Sequence, residues 1–445
     1  MKIRLPWGET ELEVELPADW RVIAEAQPKP FPACPSLAEE FARAMADPVG
    51  SAPLATRSLG RKKIVLVVDD LTRPTPAHLF FPYLLRELER AGADRRDLLL
   101  LTALGVHRPL SEQELRQKVG REGLQGLRWQ NHDAREAEQL ALLGETRGGT
   151  PVYVNRHLVE ANLIVSVGSI EPHVLAGFGG GLKNLVPGCA GTVTIGKNHL
   201  QGTATGEIAQ IGVDPERNPL RRDLEEAAGL LRKEIFLVNT VLNPQKEIVR
   251  VFSGDPLLAH RAGIKLAREI YGVPVPAAAD ILISDSSPMD TDLRQGAKCI
   301  GNLLGAVKKG GTILAFLRCQ EGLGDFKLSG RSLPRPVMKA LLRVMSRKGT
   351  LKFLDYARHD LEVEEKFLAF YSLEIMRRNE VLAYAPTLRP EEIRQLGIFR
   401  VLGDPQDLVR QAAARAPKSP TVAIFPRGGV TYPIVGAPAP TGPGT

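Results

Sequence analysis

The chain is poor in cysteine, with four in 445 residues (Cys34, Cys189, Cys299 and Cys319), and none lies in a Cys-x-x-Cys pair. A disulfide framework and a zinc ribbon are thereby excluded as sources of stability. Aromatic residues make up only 5%. No basic stripe with interleaved aromatics is visible, so no nucleic-acid surface is expected. Long apolar runs are missing too. The strongest are IVLVV at 64–68, LLLLT at 98–102 and LIVSV at 163–167, well short of the ~20 residues that a membrane-spanning helix needs. No membrane partner is expected. The chain begins MKIR and runs into GETELEVELP with no apolar signal core, which makes a cytoplasmic location the expectation.

What is present is ordinary for a soluble globular chain: 43% hydrophobic and 24% charged residues. The length suggests two or three domains with sizeable cores. A net charge of +7, from 58 basic and 51 acidic residues, is small and dispersed. It suits a small anionic substrate better than a polyanion.

Short apolar runs at 64–68, 98–102, 163–167, 235–240, 280–285, 312–316 and 421–425 alternate with amphipathic stretches at 77–91, 219–232, 256–270, 295–307 and 361–379. That alternation predicts an α/β chain with mostly parallel sheets. The alternating start, LEVEL, predicts a small hairpin within the first ~20 residues. Pro/Gly/Ala-rich breaks fall at 272–278 and 416–420. They divide the chain into an N-terminal domain, 1–272, joined by a returning 418–445 segment, and a C-terminal domain, 277–415. The end, PIVGAPAPTGPGT, reads as a mobile tail.

Three segments concentrate chemistry-bearing residues. In IVLVVDDLTRPTP a strand ends in Asp69 and Asp70, and Arg73 and a helix start follow. Ligands of α/β sheets bind beyond the carboxyl ends of strands, and a helix N-terminus favours phosphate; an N-capped helix with a surface ion pair would use the same residues. In LLLLTALGVHRPLSEQEL another strand runs into a loop carrying His107, and Ser111 with Glu114 forms a capping-box pattern. After LIVSV comes SIEPHVLAGFGGGLKNLVPGCAGTVTIGKNH, with His173, Lys183, Lys197, His199 and a glycine run. Glycine admits positive φ and close approach of backbone to a ligand.

Generic motifs fail here. Leu182 stands where a dinucleotide fingerprint starting at Gly177 needs glycine. The run from Gly191 to Asn198 nearly matches a P-loop, but Asn198 lacks the magnesium-binding hydroxyl. Imidazoles suit both acid/base work near neutral pH and ligation of Zn, Ni, Cu or Fe. The residues alone therefore lead to an α/β enzyme with His, Lys, Arg and glycine loops around an anionic ligand, with a metal left open.

At these residues the chain resembles the nickel-pincer lactate racemase family. The resemblance runs nearly full length and rests on DDLTRPTP, ALGVHRPL, EPHVLAGFGGGLKNLVPG, GKNH and RQGAK at 294–298. It implies two α/β domains with a cleft between them, an N-terminal domain for cofactor and catalysis and a C-terminal one for substrate. The implied cofactor is a nickel-bound pyridinium-3,5-bisthiocarboxylic acid mononucleotide, supplied by separate cofactor-synthesis enzymes. Lys183 would hold it covalently through a thioamide, and His199 would ligate nickel. His107 and His173 would be the acid/base pair. Asp70, Leu71, Thr72 and Arg73 would lie against its nucleotide part. Gln295 and Lys298 would bind the carboxylate of a small 2-hydroxy acid, with Arg73 as a further cation.

The implied activity is racemisation or epimerisation at C2 by proton-coupled hydride transfer. Removing a hydride while a base takes the hydroxyl proton avoids a dianion, and inversion calls for a base on each side. Two departures bear on the substrate. Arg294 stands where the family's lactate racemases tend to have tyrosine. The late helical stretch EEKFLAFYSLEIM carries Phe367 and Phe370 in place of a tryptophan. A larger dicarboxylic or sugar acid is the alternative substrate class. A non-catalytic carrier of the cofactor would need Lys183 and His199 but not two bases. Assembly into a homo-oligomer is left open.

Overall fold

The computed structural model describes residues 1–202, 208, 210–324, 333–358, 361, 363–392 and 399–436. The end of the proline/glycine tail, 437–445, lies outside the described residues. Twelve strands among them form two six-stranded sheets: β1 (Arg21–Glu25), β2 (Ile64–Asp69), β3 (Leu98–Ala103), β4 (Arg128–Asn131), β5 (Leu163–Ser169), β6 (Ile235–Leu242), β7 (Ile248–Gly254), β8 (Ala279–Asp285), β9 (Val307–Phe316), β10 (Glu380–Tyr384), β11 (Arg400–Leu402) and β12 (Thr421–Phe425). The expectation of a mostly parallel α/β chain holds.

One unit comprises Pro30–Gly206 and Gly212–Ile270. Its sheet runs β7-β6-β5-β2-β3-β4, parallel except for the antiparallel pair β6/β7. β2 and β5 are buried along their whole length, which is why they read as unbroken apolar runs. The helix Ala77–Arg90 packs on one face through Phe80, Phe81, Leu84, Leu85 and Leu88. Val65, Val67, Leu101 and Ile164 face a second cluster containing Leu185, Leu220 and Leu224. The order reverses at β2: β3 and β4 extend to one side and β5 lies on the other. Such a reversal opens a crevice at the carboxyl ends of the strands.

The other unit comprises Met1–Lys29 and Tyr271–Thr445 together with a short segment around Ile208. Its sheet is all parallel in the order β11-β10-β9-β8-β12-β1. The expected division at 1–272 and 277–415 is corrected at both chain ends. Strand β12 does not return to the first sheet; it lies between β8 and β1. The hairpin Lys2–Trp7 with Thr10–Glu15 forms as expected, but it packs in this second unit. Its Ile3, Leu5 and Val14 share a core with Ile281, Ile283, Phe316 and Ile424. The unit boundary falls between Ile270 and Tyr271, ahead of the break at 272–278, and the break at 416–420 is a loop inside one unit.

The single helix expected over 295–307 is instead three short pieces, Leu293–Gly296, Lys298–Gly301 and Leu304–Ala306. Gly296, Gly301 and Gly305 punctuate it, each costing a helix interior about 1 kcal/mol relative to alanine. Gln295 and Lys298 therefore sit on successive turns of different pieces.

Candidate active site

Three adjacent strands, β5, β2 and β3, end at the same sheet edge, with Val68 opposite Val167 and Asp69 opposite Ala103. The loops that follow them are the three segments singled out in the sequence. Parallel register thus gathers Asp70, His107, His173 and Lys183 on one edge of one unit.

His107 sits in a turn whose N–H donates to the Leu104 carbonyl at 2.9 Å. The helix Glu112–Val119 then starts with the expected capping box between Ser111 and Glu114. The Nδ1 of His107 is hydrogen-bonded to the Asp70 carboxylate. Asp70 also accepts from the Thr72 N–H at 2.9 Å and its hydroxyl at 2.6 Å. Burial pushes the Asp70 carboxyl up, but the hydrogen bond and charge of His107, with Thr72 and Arg73, outweigh it and hold it well below the usual carboxylate range. An ionised Asp70 only accepts, so it fixes the His107 proton on Nδ1; in the neutral ring the lone pair is then on Nε2. The resemblance sets Asp70 against the nucleotide part of the cofactor. Its carboxylate here serves His107 and Thr72, while Leu71 and Thr72 are exposed and Arg73 half-buried.

His173 begins a two-residue strand pair with Gly177–Phe178. Its Nδ1 accepts from the N–H groups of Leu175 and Ala176, both at 3.2 Å. With Nδ1 an acceptor, the neutral ring carries its proton on Nε2. That atom lies 2.7 Å from Lys183 Nζ, within hydrogen-bond distance.

The glycine run has a packing reason. Gly180 and Gly181 adopt φ of +68° and +64°. A Cβ at Gly180 would stand 2.5 Å from Asn239 Oδ1, and one at Gly181 2.9 Å from the His260 ring. Asn239 Oδ1 accepts the Gly181 N–H at 2.8 Å, and His260 Nε2 donates to the Gly179 carbonyl at 2.8 Å. Arg221, fully buried, donates to the carbonyls of Phe178 and Gly180. Burial pushes its guanidinium down to about 10, so it stays charged at neutral pH. Asn239, His260 and Arg221 were not recognised in the sequence. Each acts on backbone far along the chain, and no local pattern marks it.

His199 lies on the helix Thr192–Gln201 and donates Nδ1–H to the Ile195 carbonyl at 2.6 Å. That leaves the lone pair on Nε2, the arrangement of a ligating imidazole. Its neighbour Asn198 is buried and donates to the Leu220 carbonyl at 3.1 Å and to Asp223 at 2.8 Å. Asp223 also accepts from the Thr146 and Thr150 hydroxyls, anchoring this helix. Lys197 is exposed. Among the described residues no group of three His, Cys, Asp or Glu side chains is placed to hold a metal; the expected role asks for one imidazole.

Gln295, Lys298 and Arg294 belong to the other unit and are half-buried there. Phe370 is buried in a small helical core with Leu342, Leu354 and Met376. Phe367 is buried and its ring lies 6.1 Å from that of Tyr371.

The lactate racemase N-terminal domain model matches residues 7–212, and a domain model of unknown function matches 119–308. A lactate racemase from Thermoanaerobacterium thermosaccharolyticum is 32% identical over 72% of this chain and 75% of its own length. The chain belongs to the lactate racemase family. The Lactiplantibacillus plantarum lactate racemase is also 32% identical, over 64% of this chain and 67% of its own. The fold agrees with the lactate racemase apoprotein structure from Thermoanaerobacterium thermosaccharolyticum at a TM-score of 0.81 and 26% identity, over 97% of this chain and 100% of that one. A Thermotoga maritima structure shares the fold at a TM-score of 0.64 and 21% identity, covering 91% and 100% of the two chains.

Proposed function

We propose that this lactate racemase-family enzyme inverts the C2 centre of a small 2-hydroxy carboxylate with a nickel-pincer mononucleotide held at Lys183. The carrying observation is the orientation of three imidazole rings. His107 offers a lone pair at Nε2, His173 a proton at Nε2 beside Lys183, and His199 a lone pair at Nε2 backed by a helix carbonyl. A carrier would use Lys183 and His199 alone; the Asp70-backed His107 favours an enzyme.

The residues fit the group. Lys183 presents an amine for a thioamide, and His199 an oriented imidazole for nickel. When bound, the pyridinium supplies the electrophilic carbon that takes and returns the substrate hydride. The chain's own work is the proton. His107, kept in one tautomer by Asp70, takes the hydroxyl proton from one enantiomer; His173 is assigned the opposite face, a role that calls for its Nδ1–H tautomer with Nε2 released from Lys183. Asp70, Leu71, Thr72 and Arg73 are assigned to the mononucleotide, and Gln295 and Lys298, with Arg73 or Arg294 as a further cation, to the substrate carboxylate. Proteins that synthesise the cofactor are the partners this reading requires.

The test is production of the protein alongside the cofactor-synthesis enzymes, then incubation with single enantiomers of 2-hydroxy acids and chiral analysis. Racemisation of at least one acid by nickel-loaded protein is expected. Fully loaded protein that racemises none of them would overturn the reading.

A further inference from the structure

Lys118 is 3% exposed, at the far end of the helix that starts just after His107. Buried lysines are rare unless paired. Its Nζ lies 2.5 Å from Asp69 Oδ1 and donates to three carbonyls of the loop after β2: Asp70 at 2.9 Å, Thr75 at 3.2 Å and Arg73 at 3.4 Å. The other oxygen of Asp69 accepts from the Thr75 hydroxyl at 2.5 Å. An ionised carboxylate only accepts, so the Thr75 proton goes to Asp69. The 2.9 Å contact between the Thr75 and Ser169 hydroxyls is then donated by Ser169. One cation thus ties the helix behind His107 to the loop holding Asp70. Through Asp69 and Thr75 it reaches Ser169, four residues before His173.

We propose that Lys118 is a positioning residue for His107: by clamping the Asp70–Thr75 loop to the helix that follows His107, it holds the Asp70 carboxylate against Nδ1 and so fixes the tautomer in which Nε2 is the base. The inference rests on reading His107 as an acid/base residue only for its effect on turnover; the hold on the ring is independent of it. Asp69 alone does not account for the lysine. A simple ion pair needs no carbonyl ligands, whereas these three carbonyls converge from a single loop whose shape determines where Asp70 points.

The test is the double variant Lys118→Met/Asp69→Asn, which removes the cation and its anion together and strands no buried charge. The ¹⁵N ring signals of His107 are read in the apoprotein, and kcat, KM and nickel content in the loaded enzyme. Melting near wild type is expected, with His107 passing from one Nδ1–H tautomer to a mixture and kcat falling at least tenfold at unchanged nickel content. A double variant that keeps the single-tautomer signature overturns the proposal, whatever its activity. A lost signature with wild-type kcat leaves the clamp standing and overturns the catalytic role of His107 instead. A second measurement needs no variant. In the unaltered apoprotein the Lys118 ammonium protons should exchange slowly with water, and exchange as fast as that of exposed lysines overturns the clamp.

Discussion

The imidazole of His199 donates its Nδ1–H to the carbonyl of Ile195, one helical turn back, at 2.6 Å. A histidine held this way loses little freedom on ligating through Nε2, and the carbonyl raises its donor strength. His107 and His173 are engaged differently, with a carboxylate and with backbone N–H groups. His199→Ala should therefore bring nickel content below about a tenth of wild type, in line with loss of a ligand. His107→Ala and His173→Ala should keep nickel and lose interconversion. Metal analysis of the three loaded variants decides it; equal nickel loss in the His173 and His199 variants would undo the division of labour.

Lys183 and Lys197 are the two lysines of the third segment, and the structure separates them. Lys183 is half-buried against His173, whereas Lys197 is exposed on its helix. Peptide mapping of the loaded protein should find the mass adduct on Lys183. Lys183→Ala should abolish the adduct with no change in melting beyond about 1 kcal/mol, the range for a side chain outside the packed core. An adduct on Lys197 would contradict the assignment.

How much of this was legible in the sequence depends on range. β2, β3 and β5 showed as apolar runs because strands buried on both faces need them, and the loops after them carried His107, His173 and Lys183 in plain view. Lys118 was hidden. In EQELRQKV it looks like one more basic residue near a helix end, and the carbonyl it binds is 48 residues away. Arg221 was hidden for the same reason. The membership of 1–29 and 421–425 was misread because a strand's sequence carries its face but not its partner: Val22 pairs with Val422 across the whole chain.

Two buried histidines make stability depend on pH. His132 bridges the Ala190 carbonyl at 3.0 Å and the Asn155 amide at 3.2 Å, and His260 holds Gly179. Burial lowers both, and Arg221 lowers His260 further. Their folded values lie below the unfolded ~6.5. As pH falls through ~6.5 the unfolded chain gains protons that the folded chain refuses. Stability is thus complete above that pH and lost below it, at up to about 1.4 kcal/mol per unit per histidine. Denaturant midpoints between pH 7.5 and 5 should fall, and His132→Gln should flatten the slope; an unchanged slope would exclude His132 as its source.

Asp285, at the end of β8, gives the opposite sign. It is 1% exposed; Oδ1 accepts the Ser287 N–H at 2.7 Å, and Oδ2 has no hydrogen-bond partner among the described residues. Burial pushes the carboxyl up to about 8, with the nearby Asp290 adding to it. Between the unfolded ~3.9 and the folded value, the folded chain holds a proton that the unfolded one has released, so this site costs stability as pH rises. Asp285→Asn should match wild type at pH 4 and exceed it by a few kcal/mol at pH 8. A constant difference across that range would show that the group does not titrate in this way.

Arg294 bears on which acid is used. It lies in the short helix Leu293–Gly296, opened by Asp292, whose side chain accepts the Gln295 N–H at 2.8 Å, and Lys298 begins the next piece. A guanidinium beside Gln295 and Lys298 adds a planar, permanently charged fork to the residues assigned to the substrate carboxylate. A second carboxylate or a polyol can satisfy such a fork, and the methyl group of lactate cannot. A charge-assisted hydrogen bond contributes about 1.5–3 kcal/mol, a selectivity of roughly tenfold to a hundredfold. We therefore expect loaded enzyme to prefer a 2-hydroxy acid with a longer or polar side chain. The measurement is kcat/KM over lactate, malate, 2-hydroxyglutarate, longer aliphatic and aromatic acids and gluconate, for wild type and Arg294→Tyr. The variant should move the ranking toward lactate. If lactate ranks first in wild type and Arg294→Tyr leaves the order unchanged, Arg294 is a surface charge and the preference must be set elsewhere in the pocket.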